Sequence, residues 1–378
     1  METKGPCPIG QGPFHTSCGR HIAVTWPVHC WEGVSQLNQS FLSFLHQLSD
    51  PVLLAVVLLT LAVILVNGWT DAPNAIAAAV SSGALSFRSA VRLAALCNLM
   101  GVAVMTAINS SVAETIYSIA DFGSDTDTAL AALCAALFSI VLWSSAAWLF
   151  GIPTSESHAL VAGLTGAAAA LRGGCSNMRG EVWGRVLLGL ILSVAFGFFG
   201  GLLTGKAAVL LSPQDDGSLR VAQILGAAAM AFFHGAQDGQ KFMGVFLLGA
   251  ALAQGRRDTE TFLVPLWLML LCALLMALGT SMGGKRIIDT VGKDMVRLDL
   301  RRGFAADLAG ALCLLLCTLL GLPVSTTHTK TAAILGAGSS MGGTPDWRIA
   351  RSIALTWALT FPGCALIGFL TARLLLRL

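Results

Sequence analysis

Long apolar stretches separated by short polar breaks dominate the chain from residue 51 onward. Pro51 to Val66, Ala129 to Phe150, Val186 to Leu211, Phe262 to Leu278, Phe304 to Leu322 and Ile349 to Leu376 each approach or exceed the roughly 20 residues that cross ~30 Å of hydrocarbon. Half-buried strands would alternate apolar and polar positions, which these stretches do not, so they predict helices. The expected fold class is an all-α polytopic membrane protein.

The polar breaks are not random. Asn67-Gly-Trp-Thr-Asp71-Ala-Pro-Asn74 is matched by His234-Gly-Ala-Gln-Asp238-Gly-Gln-Lys241, and Gly151-Ile-Pro-Thr-Ser-Glu-Ser-His158 by Gly321-Leu-Pro-Val-Ser-Thr-Thr-His328. Asp71 and Asp238, and His158 and His328, are separated by nearly the same length of chain. Duplication is therefore expected, with residues 40–211 as one membrane repeat, 212–218 as a polar linker and 219–378 as the second repeat. Two such halves in transporters often face opposite ways across the bilayer.

Composition agrees with a bilayer, with 55% hydrophobic and 11% charged residues and a mean hydropathy of +0.75. The net charge of +3 is small and its basic residues form no stripe interleaved with aromatics, which argues against a nucleic-acid partner. Lys285, Arg286, Lys293, Arg297, Arg301 and Arg302 crowd one loop, which the positive-inside rule assigns to the cytoplasm. Cys97, Cys134, Cys272, Cys313, Cys317 and Cys364 lie in apolar stretches and read as small hydrophobes, without a disulfide framework. Residues 1–39 are a leader with no apolar core of signal-peptide length, and the spacing of their Cys and His residues fits no zinc site.

A carboxylate inside an apolar helix costs about 2.5–3.5 kcal/mol on insertion scales, so Asp71 and Asp238 point to cation coordination or proton carriage. Gly68, Pro73, Gly235 and Gly239 flank them and are expected to unwind the helices there, freeing carbonyls for a small cation. Pro153 and Pro323 are expected to open half-helices. Ser155, Glu156 and Ser157, with Ser325, Thr326 and Thr327, would place hydroxyls and free N–H groups at positive helix ends that suit an oxyanion, ordinary N-capping being the plainer role. His158 and His328 are expected to orient these loops by hydrogen bonding, and Asn109, Ser110 and Ser111 to line the pathway or form a satisfied loop. No Walker loop, nucleophile elbow or dinucleotide fingerprint is present, so an enzyme is not expected.

In these motifs, and in Gly283-Gly-Lys-Arg-Ile-Ile-Asp-Thr-Val-Gly292 and Gly303-Phe-Ala-Ala-Asp307, the chain resembles the inorganic phosphate transporter (PiT) family. The resemblance implies about 10–12 transmembrane segments in two inverted-topology repeats with broken helices and half-helix hairpins. It implies phosphate ligands at Ser155, Ser157, Ser325, Thr326 and Thr327. By the same resemblance Asp71, Asn74 and Asp238 look like cation or proton-coupling residues, and metal ligands if the ion is Na⁺; Gln240, and Glu156 as a carboxylate beside the anion site, are further coupling candidates. Thr70, Gln237, Lys241 in the place of Asn74, and Glu156 in the place of a hydroxyl depart from the family pattern.

The function expected is import of inorganic phosphate in symport with H⁺ or Na⁺ by alternating access, in the inner (plasma) membrane, with no cofactor. Sulfate carriage by the same fold, an uncoupled anion channel, and a binding sensor or scaffold are the other readings. A homodimer is an open expectation.

Overall fold

The computed structural model describes residues 42, 44–45, 48–123, 125–151, 154–171, 174–211, 215–255, 264–289 and 295–377. The leader, Pro153, Phe262, Lys293 and positions 212–214 of the expected linker lie outside the described residues. All regular structure among the described residues is helical, apart from one isolated bridge between Ala120 and Met178.

The first half comprises α1 (Pro51–Thr70), α2 (Pro73–Ser81), α3 (Phe87–Ile108), α4 (Ser111–Tyr117), α5 (Thr126–Leu149), α6 (Glu156–Ala170) and α7 (Gly180–Leu211). The second comprises α8 (Asp216–Ala253), α9 (Leu266–Gly283), α10 (Lys285–Asp289), α11 (Leu300–Leu319), α12 (Thr326–Ser340) and α13 (Trp347–Leu375). The order long helix, helix, short helix, helix, 15-residue helix, long helix therefore occurs twice, the first long helix being split into α1 and α2.

Seven spans among the described residues are long and apolar enough to cross a membrane, and Leu266–Met282 is a shorter apolar helix. The span Phe87–Ile108 was not evident as an apolar stretch because Arg88, Arg92 and Asn98 interrupt it. In α9, Leu266, Leu270, Leu274 and Leu278 are exposed at helical spacing while Leu268, Cys272 and Met276 are buried. An apolar stripe of that kind fits lipid on the outside and protein on the inside. The expected linker is shortened by α8, which starts at Asp216 with Asp215 as its N-cap, 2.7 Å from the Ser218 N–H. That donation holds the Asp215 carboxyl below its ordinary range.

The expected unwinding occurs in only one copy. α1 ends at Thr70 with Asp71 as its C-cap, and α2 restarts on Pro73, whose missing N–H breaks the ladder. α8 runs unbroken past Gly235 and Gly239, because the position matching Pro73 is Gln240. Each glycine costs a helix only about 1 kcal/mol. Here they permit close packing: a Cβ on Gly235 would lie 2.6 Å from Asn98 Cα, and one on Gly239 would run into Val102. Gly68 likewise lies within α1, against Gly279 of α9. Pro323 does not open α12, which begins at Thr326 after the N-cap Ser325.

α5 with α6, and α11 with α12, form hairpins that open at opposite ends of the molecule. Asp125, Thr128, Ala170 and Leu171 share a cavity with Asn177, just before α7. Asp299, Leu300, Ser340 and Met341 share another with Val209, at the far end of α7. The 32 residues of that continuous helix span about 48 Å, more than a hydrocarbon core. The hairpin tips nonetheless meet, with Ser155 Oγ 2.7 Å from Ser325 Oγ.

Each 15-residue helix packs on the last helix of the other half, α6 on α13 and α12 on α7. Gly166 abuts the Ala365 backbone and Gly336 the Phe198 backbone at these crossings, so any Cβ would collide. Gly336→Val is expected to destabilise the protein by about 1–3 kcal/mol through overpacking, read as a lowered unfolding temperature in detergent.

Candidate functional site

The hairpin tips bring the two copies of every polar motif together. Ser155 and Ser325 are the N-caps of α6 and α12, accepting from the backbone N–H of His158 at 3.3 Å and of His328 at 3.2 Å. Each also touches its own counterpart, as do the His158 and His328 rings at 4.2 Å between centroids. Contacts of a residue with its own counterpart mark a two-fold axis, here internal to one chain.

Around that axis the contacts repeat. Asn74 Nδ2 donates to Asp71 Oδ1 at 3.0 Å and to Thr327 Oγ1 at 3.3 Å. In the other copy Lys241 Nζ donates to Asp238 Oδ1 at 2.7 Å and to Ser157 Oγ at 2.7 Å. Thr327 Oγ1 lies 3.1 Å from the Thr154 carbonyl, and Ser157 Oγ donates to the Val324 carbonyl at 3.0 Å. The hydroxyl on each hairpin thus reaches the backbone of the opposite tip.

Asp71 and Asp238 are fully buried and gather most of these donors. Thr327 forms a short hydrogen bond to Asp71 Oδ1, and Thr326 Oγ1 donates to Asp71 Oδ2 at 3.0 Å. Asp238 Oδ2 accepts from Asn67 Nδ2 at 3.0 Å and lies 3.3 Å from His234 Nε2. The ligand atoms of Asp71, His234 and Asp238 all fall within 4.8 Å of one another, close enough to share a cation. Glu156 Oε1 accepts from Thr70 at 2.9 Å, with Ser144 beside the same carboxyl.

Not every expected residue is found here. Gln240 Nε2 donates to the Asn109 carbonyl at 2.8 Å, which ties α8 to the end of α3 and places its side chain apart from the carboxylates. Asn109 also receives the Ser111 N–H and donates to Leu319 O, a satisfied loop. The histidine rings face aromatic partners, and the Trp357 backbone lies beside His158. The rings stack, His328 on Trp357 at 3.6 Å and His158 on Phe361 at 4.5 Å. Ser155, Ser157, Ser325, Thr326 and Thr327 do converge, but on one another, Lys241 and Asp71.

The roles of Asn67 and of Gln237 were not foreseen. Gln237 donates to Thr318 Oγ1 and Leu322 O and accepts from the Val324 N–H at 3.4 Å, clamping the second tip. In the alignment of the two motifs Asn67 matches His234 and Gln237 matches Thr70, which singles out both positions but not their partners. A second buried cluster, Asp307 paired with Lys330 and accepting from Gln223 at 2.6 Å, was also missed. An intramembrane lysine is rare enough to have pointed to it.

The duplicated tips, with carboxylates from both halves, agree with the comparisons. The family model described as "Phosphate transporter family" matches residues 67–216 and 206–368. The chain belongs to the phosphate transporter family. It is 35% identical to a probable low-affinity inorganic phosphate transporter of Bacillus subtilis (strain 168), over 83% of this chain and 94% of that protein. A protein of the same description from Rhizobium meliloti (strain 1021) is 36% identical over 85% of this chain and 96% of its own length. The fold is similar to a solved structure titled "The sodium-dependent phosphate transporter", with a TM-score of 0.77, 21% identity, and coverage of 87% of this chain and all of that one. This member of the phosphate transporter family is a multi-pass membrane protein, not an enzyme, and its family and spans place it in the plasma membrane.

Proposed function

We propose that the chain imports inorganic phosphate in symport with a cation, H⁺ or Na⁺, by alternating access of two inverted repeats. The observation that carries this reading is the two-fold arrangement of hydroxyls and carboxylates at the meeting hairpin tips. Ser155, Ser157, Ser325, Thr326 and Thr327 hold the oxyanion at the N-termini of α6 and α12, where each helix end contributes about half a positive charge. Asp71 and Asn74 take the coupling cation, and Asp238, whose Oδ1 is held by Lys241, faces it through Oδ2.

Coupling follows from competition for donors. Thr326 and Thr327 direct their hydroxyl hydrogen bonds at Asp71. A cation or proton on Asp71 neutralises that acceptor and frees both hydroxyls for phosphate, so each solute strengthens the site for the other. A carboxylate with a cation and an anion beside it is also easier to enclose in a low dielectric than any one charge alone.

Na⁺ is supported by the description of the structural neighbour, and H⁺ by Glu156, a carboxylate where Thr326 stands in the other copy. Glu156→Gln is expected to remove the pH dependence of uptake while keeping phosphate binding; an unchanged pH profile argues against proton coupling through this residue. The deciding experiment is uptake of radiolabelled phosphate into proteoliposomes under imposed Na⁺ or proton gradients, with excess sulfate as competitor. Gradient-driven accumulation indifferent to sulfate is expected. Block by sulfate, or flux without any gradient, would turn the reading to sulfate carriage or to an anion channel.

A further inference from the structure

The two copies differ most at one atom. Asn74 of the first copy presents an amide to Asp71 Oδ1 and Thr327 Oγ1, whereas Lys241 of the second presents an ammonium to Asp238 Oδ1 and Ser157 Oγ. Lys241 Nζ has a third partner, the Val324 carbonyl, at 2.5 Å. A carboxylate, a hydroxyl and a main-chain carbonyl are the hard-oxygen ligands that a small cation takes from a protein.

The matching set in the first copy is Asp71 Oδ1, Thr327 Oγ1 and the Thr154 carbonyl, which the Thr327 hydroxyl already touches. No charged side chain of its own copy fills it. Beside it, the buried amide oxygen of Asn74 has no hydrogen-bond partner among the described residues. That orphaned acceptor is an unmet demand for a donor or a cation, since a buried amide oxygen without a partner costs about 1–3 kcal/mol.

We infer that Lys241 is a built-in cation that permanently occupies the second of two symmetry-related cation positions, leaving only the position at Asp71 and Asn74 for a free ion. The inference rests on the coupled-transport reading and goes beyond it, because it assigns the residue that sets how many cations accompany each substrate. The tethered ammonium is held between Asp238, Ser157 and Val324 with almost no exposure to solvent. It therefore excludes a mobile cation by both volume and charge. His234 lies next to Asp238 on the same helix, while Asp71 and Glu156 face the cluster from α1 and α6. The neutralising charge on the Asp238 side consequently travels with the protein and contributes nothing to the driving force.

The duplication supplies the test. Lys241→Asn installs the residue of the first copy and is expected to add one bound Na⁺ per chain, measured with ²²Na⁺ on purified protein without phosphate. In uptake, the Hill coefficient for Na⁺ is expected to rise by one. Asn74→Lys, which fills the first position as well, is expected to abolish saturable Na⁺ binding. Cation binding equal to wild type in both variants, each monodisperse and cooperatively unfolding, overturns the inference. If Lys241→Asn does not fold, Asn74→Lys with unchanged Na⁺ binding overturns it alone. Because ²²Na⁺ binding needs no phosphate, failure of phosphate uptake in wild type would remove the transport reading and leave the cation count to be judged separately.

Discussion

Asp71→Asn is expected to lower gradient-driven phosphate uptake at least about a hundredfold, with the fold retained. Asp71 is wholly buried, and its two oxygens accept from Asn74, Thr327 and Thr326. Hydrogen bonds to a charged group contribute about 1.5–3 kcal/mol each, so loss of the charge behind two of them amounts to a factor of about a hundred or more. The amide is nearly isosteric and still accepts through one oxygen, which is why the fold survives. It cannot hold a proton or neutralise a cation, so release of the Thr326 and Thr327 hydroxyls is no longer tied to the driving ion and the gradient cannot power uptake. Initial rates in proteoliposomes, with circular dichroism as the folding control, decide the matter. Uptake within threefold of wild type would show that coupling does not pass through Asp71.

The second large effect concerns the buried Asp307 and Lys330 pair. Asp307→Leu alone is expected to destabilise the protein by about 3–5 kcal/mol, because it strands the Lys330 ammonium in an apolar interior. Asp307→Leu combined with Lys330→Leu is expected to restore most of that loss. The reason lies in the duplication. Positions 137 and 160 of the first half, which match 307 and 330, are both leucine and both buried. The same packing frame therefore accepts two leucines without an ion pair. Gln223 matches Val56 at the spacing of Asp238 and Asp71, and Gln223→Val in the double variant removes the amide that Asp307→Leu leaves without its carboxylate. Thermal unfolding in detergent gives the comparison. A double variant no more stable than Asp307→Leu would mean that the second half shapes this region differently from the first. A stable double variant that has lost uptake would mean that the pair serves transport.

Much of the site was legible because a bilayer penalises polar residues so heavily. Asp71, Asp238, Ser155 and Ser325 stood out against apolar stretches, and their recurrence at one spacing tied them together. Partners in hydrogen bonds were not legible. Gln240 shares a motif with Asp238 yet points to the end of α3, since neighbours on a helix turn by about 100° per residue and face different elements. The glycines were misread for a similar reason: Gly235 and Gly239 suggest a break in sequence, but a continuous helix with another backbone against it uses them equally well.

The sequence by itself determined most of the membrane helices, the duplicated polar motifs and the residues that differ between copies. These follow from local physics, namely the length of an apolar stretch, the missing N–H of Pro73 and the capping chemistry of Ser155 and Ser325. The tertiary structure alone decided that the hairpins enter from opposite ends, that α6 and α12 pack on the other half, and that Lys241 occupies a three-oxygen cradle. Most of those contacts join residues more than eighty positions apart, such as Lys241 and Ser157. Chain spacing does not specify them, because they depend on how whole helices pack around an internal axis.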